Sequence, residues 1–130
     1  MQFNLATATL SLSGLFFVFT TWTSATAPAV FAKQLVLALA DAGGTNEIRS
    51  QYAGFFLAAA IACALAIFGL IPDREALVVL TVIFGGLFVG RLFSIIGNGG
   101  FSGYGPTIRA LCVIDAVGTL LTVGALVVGR

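Results

Sequence analysis

The chain has 130 residues, 59% hydrophobic and 8% charged, with a mean hydropathy of +1.11. A water-soluble domain carries roughly a quarter charged residues, so too little polar surface remains here to coat a soluble particle, and the solvent is lipid. A net charge of +1 without histidine gives no field for nucleic acid and removes the commonest metal ligand and general base.

In chain order, Met1-Gln2-Phe3-Asn4 lacks the Lys or Arg of a signal-peptide amino region. Ser24-Ala25-Thr26-Ala27 looks like a cleavage site, yet residues 5–22 are expected to be a resident first span ending on the interfacial Trp22. The link from 23 to 45 is too apolar for a plain loop. Thr26 followed by Pro28 reads as a helix start, and Asp41-Ala42-Gly43-Gly44 as a helix stop. The helix between them, about 13 residues, is too short to span and is expected at the membrane interface, with a partly re-entrant segment as the other reading.

The second span is expected from about Asn46 to Ile71, stopped by Pro72. Thr45 or Asn46 would cap it, with Glu47 in the first turn facing the positive helix end. A third span over Ala76–Ile96 stops at Gly97-Asn98-Gly99-Gly100. The fourth runs over Thr107–Gly129, with Pro106 before it and Arg130 snorkelling at its end. The fold class is thus an all-α membrane protein: a four-transmembrane-helix bundle, residues 1–130 in one domain, with an interfacial helix between the first two spans. Pro72-Asp73-Arg74-Glu75 makes the second and third spans a tight antiparallel hairpin. Cys63 and Cys112 are expected as free thiols packed like small hydrophobes.

Helix packing in lipid depends on close backbone approach. Gly54, Ala58, Ala62 and Ala66 recur every fourth residue, as do Gly86 and Gly90. Asp115, Gly118, Thr119 and Thr122 share one face of the fourth span, and Thr7, Ser11 and Gly14 form a stripe on the first. These stripes are expected to be the packing faces.

Arg91 and Asp115 stand inside two membrane-length segments, where a charge costs several kcal/mol on its own and therefore faces inward to a partner. Four spans put both termini on one side and the long link and glycine-rich loop on the other. Helical rise places both charges roughly 7–12 Å below the loop side, level with Glu47, Arg49 and Tyr52 at the start of the second span. Arg91, Ser94 and Asn98 follow one stripe. Glu47, Arg49, Arg91 and Asp115 make a neutral set, as burial in a low dielectric demands. With Tyr52 and Ser94 they form a candidate buried polar network or ligand site. The loop side holds Lys33, Arg49 and Arg109 against Arg74 and Arg130 on the other, too even to set an orientation by the positive-inside rule.

Thr45-Asn46-Glu47-Ile48-Arg49-Ser50-Gln51-Tyr52-Ala53-Gly54 and Phe84-Gly85-Gly86-Leu87-Phe88-Val89-Gly90-Arg91-Leu92-Phe93-Ser94 resemble two motifs of a bacterial family of small four-helix integral membrane proteins. That family is catalogued as a domain of unknown function, and some relatives are labelled phage infection protein. The family pattern has a glutamate where Asp115 stands. The resemblance implies the four-helix fold, the Glu47/Arg49/Arg91/Asp115 grouping and a multi-pass place in the bacterial inner (cytoplasmic) membrane.

The leading functional expectation is a non-enzymatic integral membrane protein: an accessory or scaffold subunit, or a small stand-alone bundle. Its partners would be the lipid bilayer and a larger membrane complex or homo-oligomer, with no nucleic acid. The alternative is a binding or transport protein for a small anionic or amphiphilic molecule at the Arg49/Arg91/Asp115 cluster, walled by Tyr52, Phe101 and Tyr104 and gated by the glycine-rich loop. No nucleophile stands beside a base and no metal set is seen, so no catalytic residue, cofactor or metal is expected.

Overall fold

The computed structural model describes residues 4–129; Arg130, expected to snorkel, lies outside them. The architecture is all-α. Four helices are long and apolar enough to cross a membrane: α1 (Leu5–Thr26), α3 (Ala42–Ile67), α4 (Asp73–Gly97) and α5 (Pro106–Val128). A short α2 (Pro28–Gln34) stands between the first two.

Asn4 opens α1, its side-chain oxygen accepting the Thr7 amide at 2.9 Å. The helix runs one turn beyond Trp22 because its polar residues bond to their own backbone. The hydroxyls of Thr23, Ser24 and Thr26 donate to carbonyls one turn earlier at 2.9, 2.6 and 2.7 Å. In lipid each polar group needs such a partner.

The link after α1 departs most from expectation. Helix α2 starts at Pro28 as predicted but ends at Gln34, well short of Asp41. Its end is closed by Val36 N–H to the Lys33 carbonyl at 3.0 Å and Leu37 N–H to the Ala32 carbonyl at 2.9 Å. This closure needs a left-handed residue, and Val36 takes it at φ 61°, a strained choice for a β-branched side chain. Asp41 is a helix start, not a stop. Its carboxylate accepts the Gly44 amide at 2.9 Å and caps α3, so the short acceptor side chain outweighs the two glycines that follow. Thr45 and Asn46 are therefore inside the helix, and Glu47 falls beyond its first turn.

Within α3, Arg49–Gly54 forms a π-helical turn. The helix then ends at Ile67 rather than Ile71. Gly69 at φ 70° closes it, with Gly69 N–H to Ala66 O and Leu70 N–H to Leu65 O both at 2.8 Å. The glycine stops the helix a turn before the proline does. Helix α4 ends the same way at Gly99, φ 72°.

The chain divides into two compact units. One is Leu10–Leu70; the other comprises the described residues of Met1–Thr9 and Ile71–Arg130. In the first unit, the packed face of α3 is Phe56, Ala59, Cys63 and Ala66. The predicted ridge at Gly54, Ala58, Ala62 and Ala66 is not that face, since Gly54 and Ala58 are exposed. A strict four-residue spacing drifts about 40° per step around a helix of 3.6 residues per turn, whereas alternating threes and fours keep one side. Gly14 of α1 lies against this face, where a Cβ on it would stand 3.3 Å from the Cys63 Cβ. Phe17, fully buried, stacks on Phe56 with ring centroids 5.4 Å apart.

In the second unit α4 and α5 form a hairpin. Leu77, Leu80, Phe84 and Ile95 line the buried side of α4. Cys112, Asp115, Thr122 and Ala125 line that of α5. Gly118 is the point of closest approach: a Cβ there would lie 2.6 Å from the Phe84 ring. Gly86 and Gly90, expected to pack, face open space, where a Cβ would meet nothing within 4 Å. They lie off the 77–80–84 seam, on a side of α4 left open. Both cysteines are buried and free.

Candidate functional site

Three of the six predicted site residues lie in the α4–α5 unit. The same three-and-four register that buries Leu77, Leu80 and Phe84 carries round to Arg91, placing a guanidinium on the seam. Asp115 answers it one turn inside the packed face of α5. Arg91 Nε donates to Asp115 Oδ2 at 2.6 Å, a hydrogen-bonded ion pair. The Asp115 side chain is 3% exposed and that of Arg91 25%. The pair is therefore lopsided: the carboxylate is enclosed and the guanidinium reaches outward. Only Nε is engaged by the described residues, leaving the terminal amino groups without a partner among them. Asp115 also fixes its helix locally, its carbonyl accepting the Thr119 hydroxyl at 2.7 Å.

Ser94, one turn after Arg91, does not bond to it. Its hydroxyl shares a 2.7 Å hydrogen bond with the phenol of Tyr104, which also accepts Asn98 Nδ2 at 2.6 Å. Arg109, in the first turn of α5, donates Nε to the Tyr104 carbonyl at 2.9 Å and Nη2 to the Phe101 carbonyl at 3.1 Å. The glycine-rich loop is thus pinned at both its aromatic residues, which does not favour the gating expected of it. The residues this reading missed had a signal. An arginine just inside a helix that follows a loop with unpaired carbonyls is placed to satisfy them.

These elements enclose a groove of about 360 Å³ beside Arg91. Gly86 and Gly90 leave its floor open, Ser94 and Tyr104 supply hydroxyls, and Phe101 and Ile108 supply apolar wall.

Glu47, Arg49 and Tyr52 belong to the other unit. Glu47 is exposed and forms no ion pair or side-chain hydrogen bond among the described residues. Arg49 Nε donates to the Ala25 carbonyl near the end of α1 at 3.3 Å. Tyr52 is an aromatic packing residue, edge-on to Phe31 of α2 with centroids 5.0 Å apart and 6.4 Å from Phe56. Both sit in the π turn, where the Ala53 carbonyl accepts the Thr21 hydroxyl of α1 at 3.4 Å. An i to i+5 turn displaces carbonyls from the regular ladder, and this cross-helix bond takes up one of them.

No curated protein and no solved structure matches the chain. The matching family model covers residues 5–126. The ion pair, both motifs, the first three membrane-length helices and α5 as far as residue 126 fall within that range, and the chain belongs to the family described as Domain of unknown function (DUF4345).

Proposed function

We propose that this is a non-enzymatic integral membrane protein of the bacterial inner membrane, acting as a scaffold or accessory subunit through its apolar helix faces. The observation that carries the reading is how the polar groups of the spans are engaged. Arg91 and Asp115 pair with each other. The hydroxyls of Thr20, Thr81, Thr119 and Thr122 donate to carbonyls of their own helices. Groups satisfied within the protein in this way leave little to line a polar path for a solute. What remains to act is the outside. On α1, Leu12, Leu15, Phe19 and Trp22 are 60–69% exposed at spacings of three, four and three, the seam by which one helix receives another.

The test is mild extraction of the tagged protein from its own membranes, followed by native mass spectrometry. Stoichiometric co-isolation of other membrane subunits, lost on Phe19→Ala with Trp22→Ala, is expected. A protomer that always emerges alone contradicts the accessory role.

A further inference from the structure

Beyond the scaffold reading, we propose that the Arg91 groove binds one anionic amphiphile, an oxyanion head on a hydrocarbon chain. The head meets the outward amino groups of Arg91 beside the Ser94–Tyr104 hydroxyls, and the chain lies over Gly90 and Gly86.

Two independent features point to this ligand. The first is donor geometry. Arg91 gives one N–H to Asp115, while a guanidinium carries five in a planar fork suited to carboxylate or phosphate oxygens. With Asp115 enclosed and Arg91 part-exposed, the ion pair fixes the fork from behind and leaves its terminal groups toward the groove it lines.

The second is the glycines. Glycine in a helix interior costs about 1 kcal/mol relative to alanine, and Gly118 offsets that by admitting the Phe84 ring. Gly86 and Gly90 have no such neighbour. Their effect is to keep open a smooth track one helical turn long beside Arg91. Its walls, Phe101 and Ile108 among them, are held in place by the Arg109 bonds to the loop carbonyls. A site that is mostly apolar with a few convergent polar groups, at about 360 Å³, has the make-up of a small-molecule pocket.

The experiment uses the full chain in nonionic detergent, with native mass spectrometry as readout. Oleate and oleoyl-lysophosphatidylglycerol are the anionic probes, and oleoyl-lysophosphatidylcholine is the zwitterionic control. A one-to-one adduct with an anionic probe is expected at about tenfold lower concentration than with the control, the order expected of one charge-assisted contact. Whether the carboxylate or the phosphodiester binds identifies the head chemistry, and either supports the site. Gly90→Leu points its side chain into open groove, so it should abolish the preference while helix content and unfolding midpoint do not fall. Equal binding of the zwitterion, absence of any adduct, or anionic adducts indifferent to Gly90→Leu would overturn the proposal.

Discussion

Helices α4 and α5 meet across a charged contact, Arg91 to Asp115, whereas α1 and α3 meet across rings and small side chains. Phe17 stacks on Phe56 at 5.4 Å, and Gly14 lies against Cys63. Both pairs solve the same problem, since lipid is as apolar as leucine and gives no hydrophobic drive for one helix to seek another. The aromatic pair draws on close contact spread over many atoms. The charged pair concentrates its adhesion in two groups, and it fails differently: losing a ring leaves a void, while losing one charge strands the other in a medium that cannot solvate it.

The largest expected effect follows from that asymmetry. Asp115→Ala leaves Arg91 uncompensated and should lower stability by about 3–5 kcal/mol, read from unfolding in mixed micelles. Losses no larger than about 1 kcal/mol would erase the distinction between the two helix pairs.

The next test separates glycines that pack from glycines that do not. Gly118→Ala drives a methyl group into the Phe84 ring and should cost about 1–3 kcal/mol as overpacking. Gly90→Ala, meeting nothing within 4 Å, should instead raise stability by up to about 1 kcal/mol through helix propensity alone. Equal effects at the two positions would show that α4 and α5 do not approach each other at Gly118.

The smallest effect belongs to the link that carries the strained Val36, 78% exposed at φ 61°. Val36→Gly relieves a left-handed β-branched residue and should raise the unfolding free energy of the Leu10–Leu70 unit by about 1 kcal/mol. A decrease would mean that the end of α2 is not closed there.

How much of this was legible beforehand depends on the scale of the signal. The four spans were plain because twenty-residue apolar runs leave few alternatives. The exposed ridge on α3 was misread because small residues every fourth position look aligned in a sequence but drift around a real helix, while the true face mixes Phe56 with Ala59, Cys63 and Ala66. Asp41 was misread because a helix start and a helix stop draw on the same residues, and only the hydrogen bond to Gly44 tells them apart. The π turn at Arg49–Gly54 has no compositional signature. It is a response to tertiary context, as the Thr21 bond to Ala53 suggests. At the candidate site, burial rules alone pointed to Arg91 and Asp115 as charges needing partners. Ser94 bonding to Tyr104, and Arg109 pinning the loop, depend on how residues 98–105 between α4 and α5 fold back, which periodicity does not encode.

The central claim is that Arg91 and Asp115 act as one structural clasp, and a double-mutant cycle tests it most directly. Unfolding in mixed micelles would be compared for Arg91→Leu, Asp115→Leu, the double variant and the parent. Each single change should cost about 3–5 kcal/mol, and the double variant should recover most of that loss because no charge is left stranded. If the two losses simply add in the double variant, the charges stabilise the fold independently and the clasp does not exist.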